Sequence, residues 1–136
     1  MKYLIVLFLF FLSCKKKDFG YTLNFGLYGG IGSNIHTSMN VSAQKTSFEF
    51  ACAVAHINEN LLLSTNKTFK KVGIFQFYHG AVMKDHDLKN DIKSALFTFE
   101  IKDKYVKVFI LNLEDSSKIG TYEFEFGADT KVFKCA

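Results

Sequence analysis

The chain has 136 residues, including 16 Phe and 6 Tyr but no Trp, and it carries neither Pro nor Arg. Without arginine, bidentate guanidinium contacts to phosphate or carboxylate are excluded. The net charge of +4 sits entirely in Lys2 and Lys15–Lys17: from Asp18 onward 13 lysines face 13 acids, so the body of the chain gives nucleic-acid binding no electrostatic support.

In chain order, Met1-Lys2 supplies a short positive start and Tyr3–Leu12 an uninterrupted apolar run. Ser13-Cys14 closes it and Lys15-Lys16-Lys17-Asp18 opens a polar stretch. About ten apolar residues suit the core of a signal peptide and are too few for a transmembrane helix, which needs about twenty. The lysines after the run also oppose a permanent anchor, because they would hold the rest of the chain inside the cell. The segment Phe11-Leu12-Ser13-Cys14 resembles the lipobox of bacterial lipoproteins, with the small Ser13 at −1; Phe11 stands where Leu is usual, and Leu12 is larger than usual at −2. The resemblance implies cleavage before Cys14 and diacylation of its sulfur. The reading is a signal peptide over 1–13, a lipidated tether over 14–18 and one β-rich domain over 19–136. Plain secretion with an incidental Cys14 is the competing reading.

Phe19, Tyr21, Leu23, Phe25 and Leu27 alternate with small or polar residues, which predicts a strand with one apolar face. The glycines from Gly29 to Gly32 predict a turn, and the polar stretch 34–46 a loop or weak edge strand. Alternation from Phe48 to Val54 predicts a strand placing Phe48, Phe50, Cys52 and Val54 on one face. Phe69–Tyr78 predicts a long strand. Between 85 and 95 the period changes: Leu88, Ile92 and Ala95 or Leu96 recur at three and four, with Asp85, Asp87 and Asp91 ahead of Lys93, which predicts a short helix. The last forty residues predict a meander: Phe97–Lys102, a turn at Asp103-Lys104, Tyr105–Leu113, a turn to Lys118, Tyr122–Phe126, and a terminal strand at Lys131–Cys135.

About eight strands in roughly 120 residues imply an all-β domain, an antiparallel sandwich or a small lipocalin-like barrel. Closure would hide the edges of so Phe-rich a sheet. An outer-membrane barrel is a weaker alternative, since several strands are too short to span.

Three cysteines divide into one lipid site and one pair. Cys14 is the lipidation site, and in an oxidising compartment Cys52 and Cys135 are candidates for a disulfide. His79, Asp85, His86, Asp87 and Asp91 form the densest polar cluster, yet Asp85–Asp87 are adjacent and cannot share one face of a helix. The expectation is a solvated helix start and no metal site. His36 and His56 suit a loop and a strand end, and Ser33 and Ser38 lack a nucleophile turn. Gly26, Gly29, Gly30 and Gly32 lack the spacing of a phosphate loop. No catalytic set and no cofactor are expected. The function expected is that of a lipid-anchored, exported envelope or surface protein acting as a binding module. Its partner would be a protein or an envelope polymer, with exposed aromatics such as Tyr28 or Tyr78 as contacts. A lipocalin-like carrier of a small apolar ligand is the alternative.

Overall fold

The computed structural model describes residues 23–61, 67–78 and 92–132. Within them run β1 Gly26–Gly30, β2 Ser38–Val41, β3 Thr46–Phe50, β4 Ala53–Ile57, β5 Thr68–Phe77, β6 Ile92–Lys102, β7 Tyr105–Asn112 and β8 Lys118–Phe126. Every strand pairs antiparallel with its neighbours in sequence, and β8 pairs back onto β1, so the sheet closes into an eight-stranded up-and-down barrel. Closure leaves no edge strand.

Alternation decides which residues fill the barrel. Tyr28, Met39, Phe48, Ala55, Phe75, Phe97, Phe99, Val108, Ile110 and Phe124 point inward and are buried. Phe48 lies at the centre of a ring cluster, 5.4 Å from Phe97, 6.3 Å from Phe99 and 5.9 Å from Phe124 between centroids. Rings at these spacings fill the middle of the barrel, as an interior of eight strands allows. The outer face carries Asn40, Ser47, Glu49, Lys70, Glu100, Lys107, Glu123 and Glu125. An apolar, ring-packed inside is the reverse of the polar lumen of a membrane-spanning barrel, which argues against that alternative.

Several elements differ from expectation. The strand expected at Phe19–Leu27 is Gly26–Gly30, with Leu23–Phe25 outside it and 19–22 outside the described residues. Gly29 and Gly30, expected in a turn, are strand residues. A Cβ on Gly29 would come within 2.5 Å of the Ala128 carbonyl oxygen, so the bare backbone lets the chain after β8 cross the outside of β1. The polar stretch 34–46 contains β2, paired on both sides. The single strand expected from Phe48 to Val54 is a hairpin. Phe50 pairs with Ala53, so the two-residue turn Ala51-Cys52 resets the alternation; Ala53 is buried and Cys52 exposed.

The helix expected at 85–95 is overturned over its last residues. Ile92–Ala95 belong to β6, laddered against β5 from Gln76 to Gly73, because strand pairing outweighs a marginal helical period. The remainder of that segment lies outside the described residues. Lys131 and Val132 are not strand, and 133–136 lie outside the described residues.

The strands come in two classes. β5–β8 run 8 to 11 residues, whereas β1–β4 run 4 or 5. At the N-terminal rim the chain reaches β1, and the β2–β3, β4–β5 and β6–β7 connections turn. Among the described residues the far rim holds the 3-10 turn at Gly32–Asn34, the β3–β4 turn and the β7–β8 turn.

Candidate functional site, an aromatic cup at the far rim

At the far rim the ring packing stops short of the opening and leaves a cavity of about 370 Å³. Phe50 from β3, Phe75 and Phe77 from β5 and Tyr122 from β8 form its floor and walls, with Ile119 beside them. The rings hold one another: Phe50 lies 4.5 Å from Tyr122 and 5.3 Å from Phe75, and Phe75 lies 4.8 Å from Phe77. Tyr122 occupies its place because β8 has glycine two residues earlier. A Cβ on Gly120 would come within 2.6 Å of the Tyr122 hydroxyl.

The polar side of the cup is the 3-10 turn with Asn34, His36 and Thr37, and the remaining side is Ala51-Cys52-Ala53. That turn is braced on β8. The Asn34 Oδ1 accepts from the Glu123 N–H at 3.0 Å, and the Ile31 N–H donates to the Glu123 carbonyl at 3.0 Å. Thr37 closes it by donating its hydroxyl to the Asn34 carbonyl at 2.7 Å. His36 lies 2.9 Å through Nδ1 from the Lys131 carbonyl oxygen; a carbonyl only accepts, so Nδ1 carries the proton. This bond ties the segment after β8 to the rim.

No carboxylate or lysine lines the cup among the described residues. Burial pushes the Tyr122 hydroxyl above the ordinary tyrosine range, so the phenol is neutral at physiological pH. A neutral aromatic wall with a hydrogen-bonding rim can hold an uncharged, flat group. The volume lies at the small end of ligand pockets, about 300–1,000 Å³.

The residues singled out in the sequence scatter. Tyr28, expected as an exposed contact, is buried in the core, its hydroxyl near the Asn24 backbone; its inward strand position corrects that expectation. Tyr78 is exposed, just past β5. Cys52 is exposed at the β3–β4 turn, which excludes its reading as a small core residue. His36 joins the cup rim, whereas His56 lies on the outer face of β4 and Ser38 is buried in β2. Ser33 lines the cup from the exposed 3-10 turn. Cys14, Cys135, His79, Asp85, His86, Asp87 and Asp91 lie outside the described residues. No group of three potential metal ligands occurs among the described residues.

Sequence reasoning missed the cup. Phe50, Phe75, Phe77 and Tyr122 are each legible as strand residues, but only the barrel's register brings three separate strands to one opening. No family model, no curated protein and no solved structure matches this chain.

Proposed function

We propose that the protein is a lipid-tethered binding module of a bacterial cell envelope, held on a membrane through Cys14, with the far-rim cup as its binding site. The observation that carries the binding reading is the cup itself: Phe50 and Phe75, buried at its floor, and Phe77 and Tyr122, partly exposed, set four aromatic rings round one opening above the ring cluster of the core. The ligand that suits it is a small, uncharged, flat apolar group, free or carried on a larger partner. Catalysis is not part of the proposal, because the described lining offers no paired acid and base.

The carrier alternative draws support from the closed barrel. Against an enclosed ligand stands the ring cluster of Phe48, Phe97, Phe99 and Phe124, which occupies the space a lipocalin-like cavity would need. A ligand seated at the mouth is the version the packing supports.

The neutral dye N-phenyl-1-naphthylamine probes the cup by fluorescence enhancement. The expected result is binding to the wild type and about tenfold weaker binding to Phe77→Ser, ~1.4 kcal/mol for one aromatic wall. Equal binding by both would exclude the cup as the site. Anchoring is tested by fractionation, in which Cys14→Ser should move the folded protein from membranes to the soluble fraction.

A Cys52–Cys135 disulfide is part of the same proposal. Val132 lies beside Ala51 and Tyr78 in a second surface cavity, and Cys135 is three residues further on, within a span of about 10 Å. The bond would close a loop of 84 residues, contributing about 4 kcal/mol on the chain-entropy account. Alkylation with and without prior reduction should differ by two modified thiols. Equal masses would remove the bond from the proposal.

A further inference from the structure

We propose that the N-terminal rim is a bilayer seat, so that the barrel stands on an anionic membrane with its cup pointing away. The inference rests on the anchoring at Cys14. At this rim four large apolar side chains, Phe25, Leu27, Tyr105 and Phe126, are between 38% and 52% exposed. They lie at the ends of three adjoining strands: Phe25 and Leu27 at the start of β1, Phe126 at the end of β8 and Tyr105 at the start of β7. Tyr105 pairs with Glu125 on β8 and Tyr28 with Phe126, while the Gly127 N–H bonds the Leu27 carbonyl and the Phe126 N–H the Lys104 carbonyl.

The rim's own charges are largely matched. Lys104 meets Glu125 at 2.7 Å and lies 5.5 Å above the Tyr105 ring, and Lys102 meets Glu100 at 3.2 Å. Asp103 in the turn between them, Lys45 in the β2–β3 turn, and Lys67 with the Lys71–Glu59 pair at 2.8 Å by the β4–β5 connection are the rim's other charges among the described residues. Neutralised pairs and amphipathic rings suit the headgroup level of a bilayer. The attraction to anionic lipid would come from Lys15–Lys17, at about 1 kcal/mol per residue near the surface.

The far rim is also apolar, with Ile35, Tyr78, Ile92 and Leu113 exposed, and chain length decides between the two. Eight residues lie between Cys14 and Leu23, and a chain of that length without regular structure would span roughly 16 Å on average. The 11-residue β6 makes the barrel roughly 28 Å tall. The tether therefore keeps the N-terminal rim at the surface and the cup about a barrel's height above it.

The test uses the lipidated full chain on phosphatidylglycerol–phosphatidylcholine vesicles. Nitroxide labels are placed through Tyr105→Cys or Leu113→Cys, and their collisions with a water-soluble nickel chelate are compared with and without vesicles. The expected result is a several-fold loss of collisions at position 105 and little change at 113. Equal collisions at both sites on vesicle-bound protein would overturn the seat while leaving the anchor intact. Protein that stays in the supernatant would overturn the anchor, and the seat with it. A Phe25→Ser/Leu27→Ser double variant changes only exposed positions and should restore collisions at 105 with the protein still bound; unchanged protection in that variant would also overturn the seat.

Discussion

Two tyrosines show how one residue type takes opposite roles by position. Tyr28 and Tyr122 both point into the barrel and burial raises both hydroxyls, yet one is packed in the core and the other walls an opening. A group whose folded pKa is raised contributes its stability below its unfolded value, about 10 for tyrosine, and loses it as the pH climbs through the folded value. Stability should therefore decline above pH ~10, and in an ultraviolet phenolate titration of the native protein Tyr28 and Tyr122 should ionise above the ordinary tyrosine range. A titration that is complete within the ordinary tyrosine range would contradict the burial. The ring cluster gives a second expectation. Phe97 is fully buried and 5.4 Å from Phe48, so Phe97→Ala should cost about 3–5 kcal/mol in urea unfolding. Leu113→Ala, at an exposed turn, should stay within about 0.5 kcal/mol. At Gly29 the obstacle to a side chain is backbone, the Ala128 carbonyl. Gly29→Val should lift the segment after β8 from β1 and raise its susceptibility to protease.

At the scale of elements, alternation made most of the long strands readable. β5 and β7 follow the expected spans closely because 8 to 10 residues give a period of two room to show, whereas only Phe97–Lys102 of β6 and Tyr122–Phe126 of β8 were legible. The short half of the barrel was less legible. β2 is Ser38–Val41, where Ser and Asn carry little apolar signal, and only pairing with β1 and β3 makes it a strand. The turn at Ala51-Cys52 escaped because the residues around it stay apolar on both sides, without the Gly, Asn or Pro that usually marks a hairpin. The cup was illegible for a related reason: it depends on which strands stand beside or opposite one another, a long-range fact. The same asymmetry predicts dynamics. Amide exchange should be slowest in β6 and β7, flanked by long partners, and faster in β1 and β2, which hold the barrel with four or five residues each. Uniform protection around the barrel would show that the short strands open only with the whole.

At the scale of the molecule, the barrel is divided along its axis. Its middle is filled by rings, the far rim opens into the cup, and the N-terminal rim collects an apolar corner beside the point where the chain reaches β1. The pairing of β8 with β1 adds a consequence of a different kind, one of timing. Tyr28 must find Phe126, a partner made nearly a hundred residues later, while all the other strand pairs join neighbours in sequence. The first strand of the barrel is thus the last to gain its second neighbour. Until β8 arrives, a growing chain holds an open sheet with its Phe-lined face uncovered, and contacts this distant in sequence form slowly. The strap beyond Gly127 can cross β1 only after that closure. Its docking marks a finished barrel, and removing residues 128–136 should slow the final folding phase or speed unfolding more than it alters the sheet.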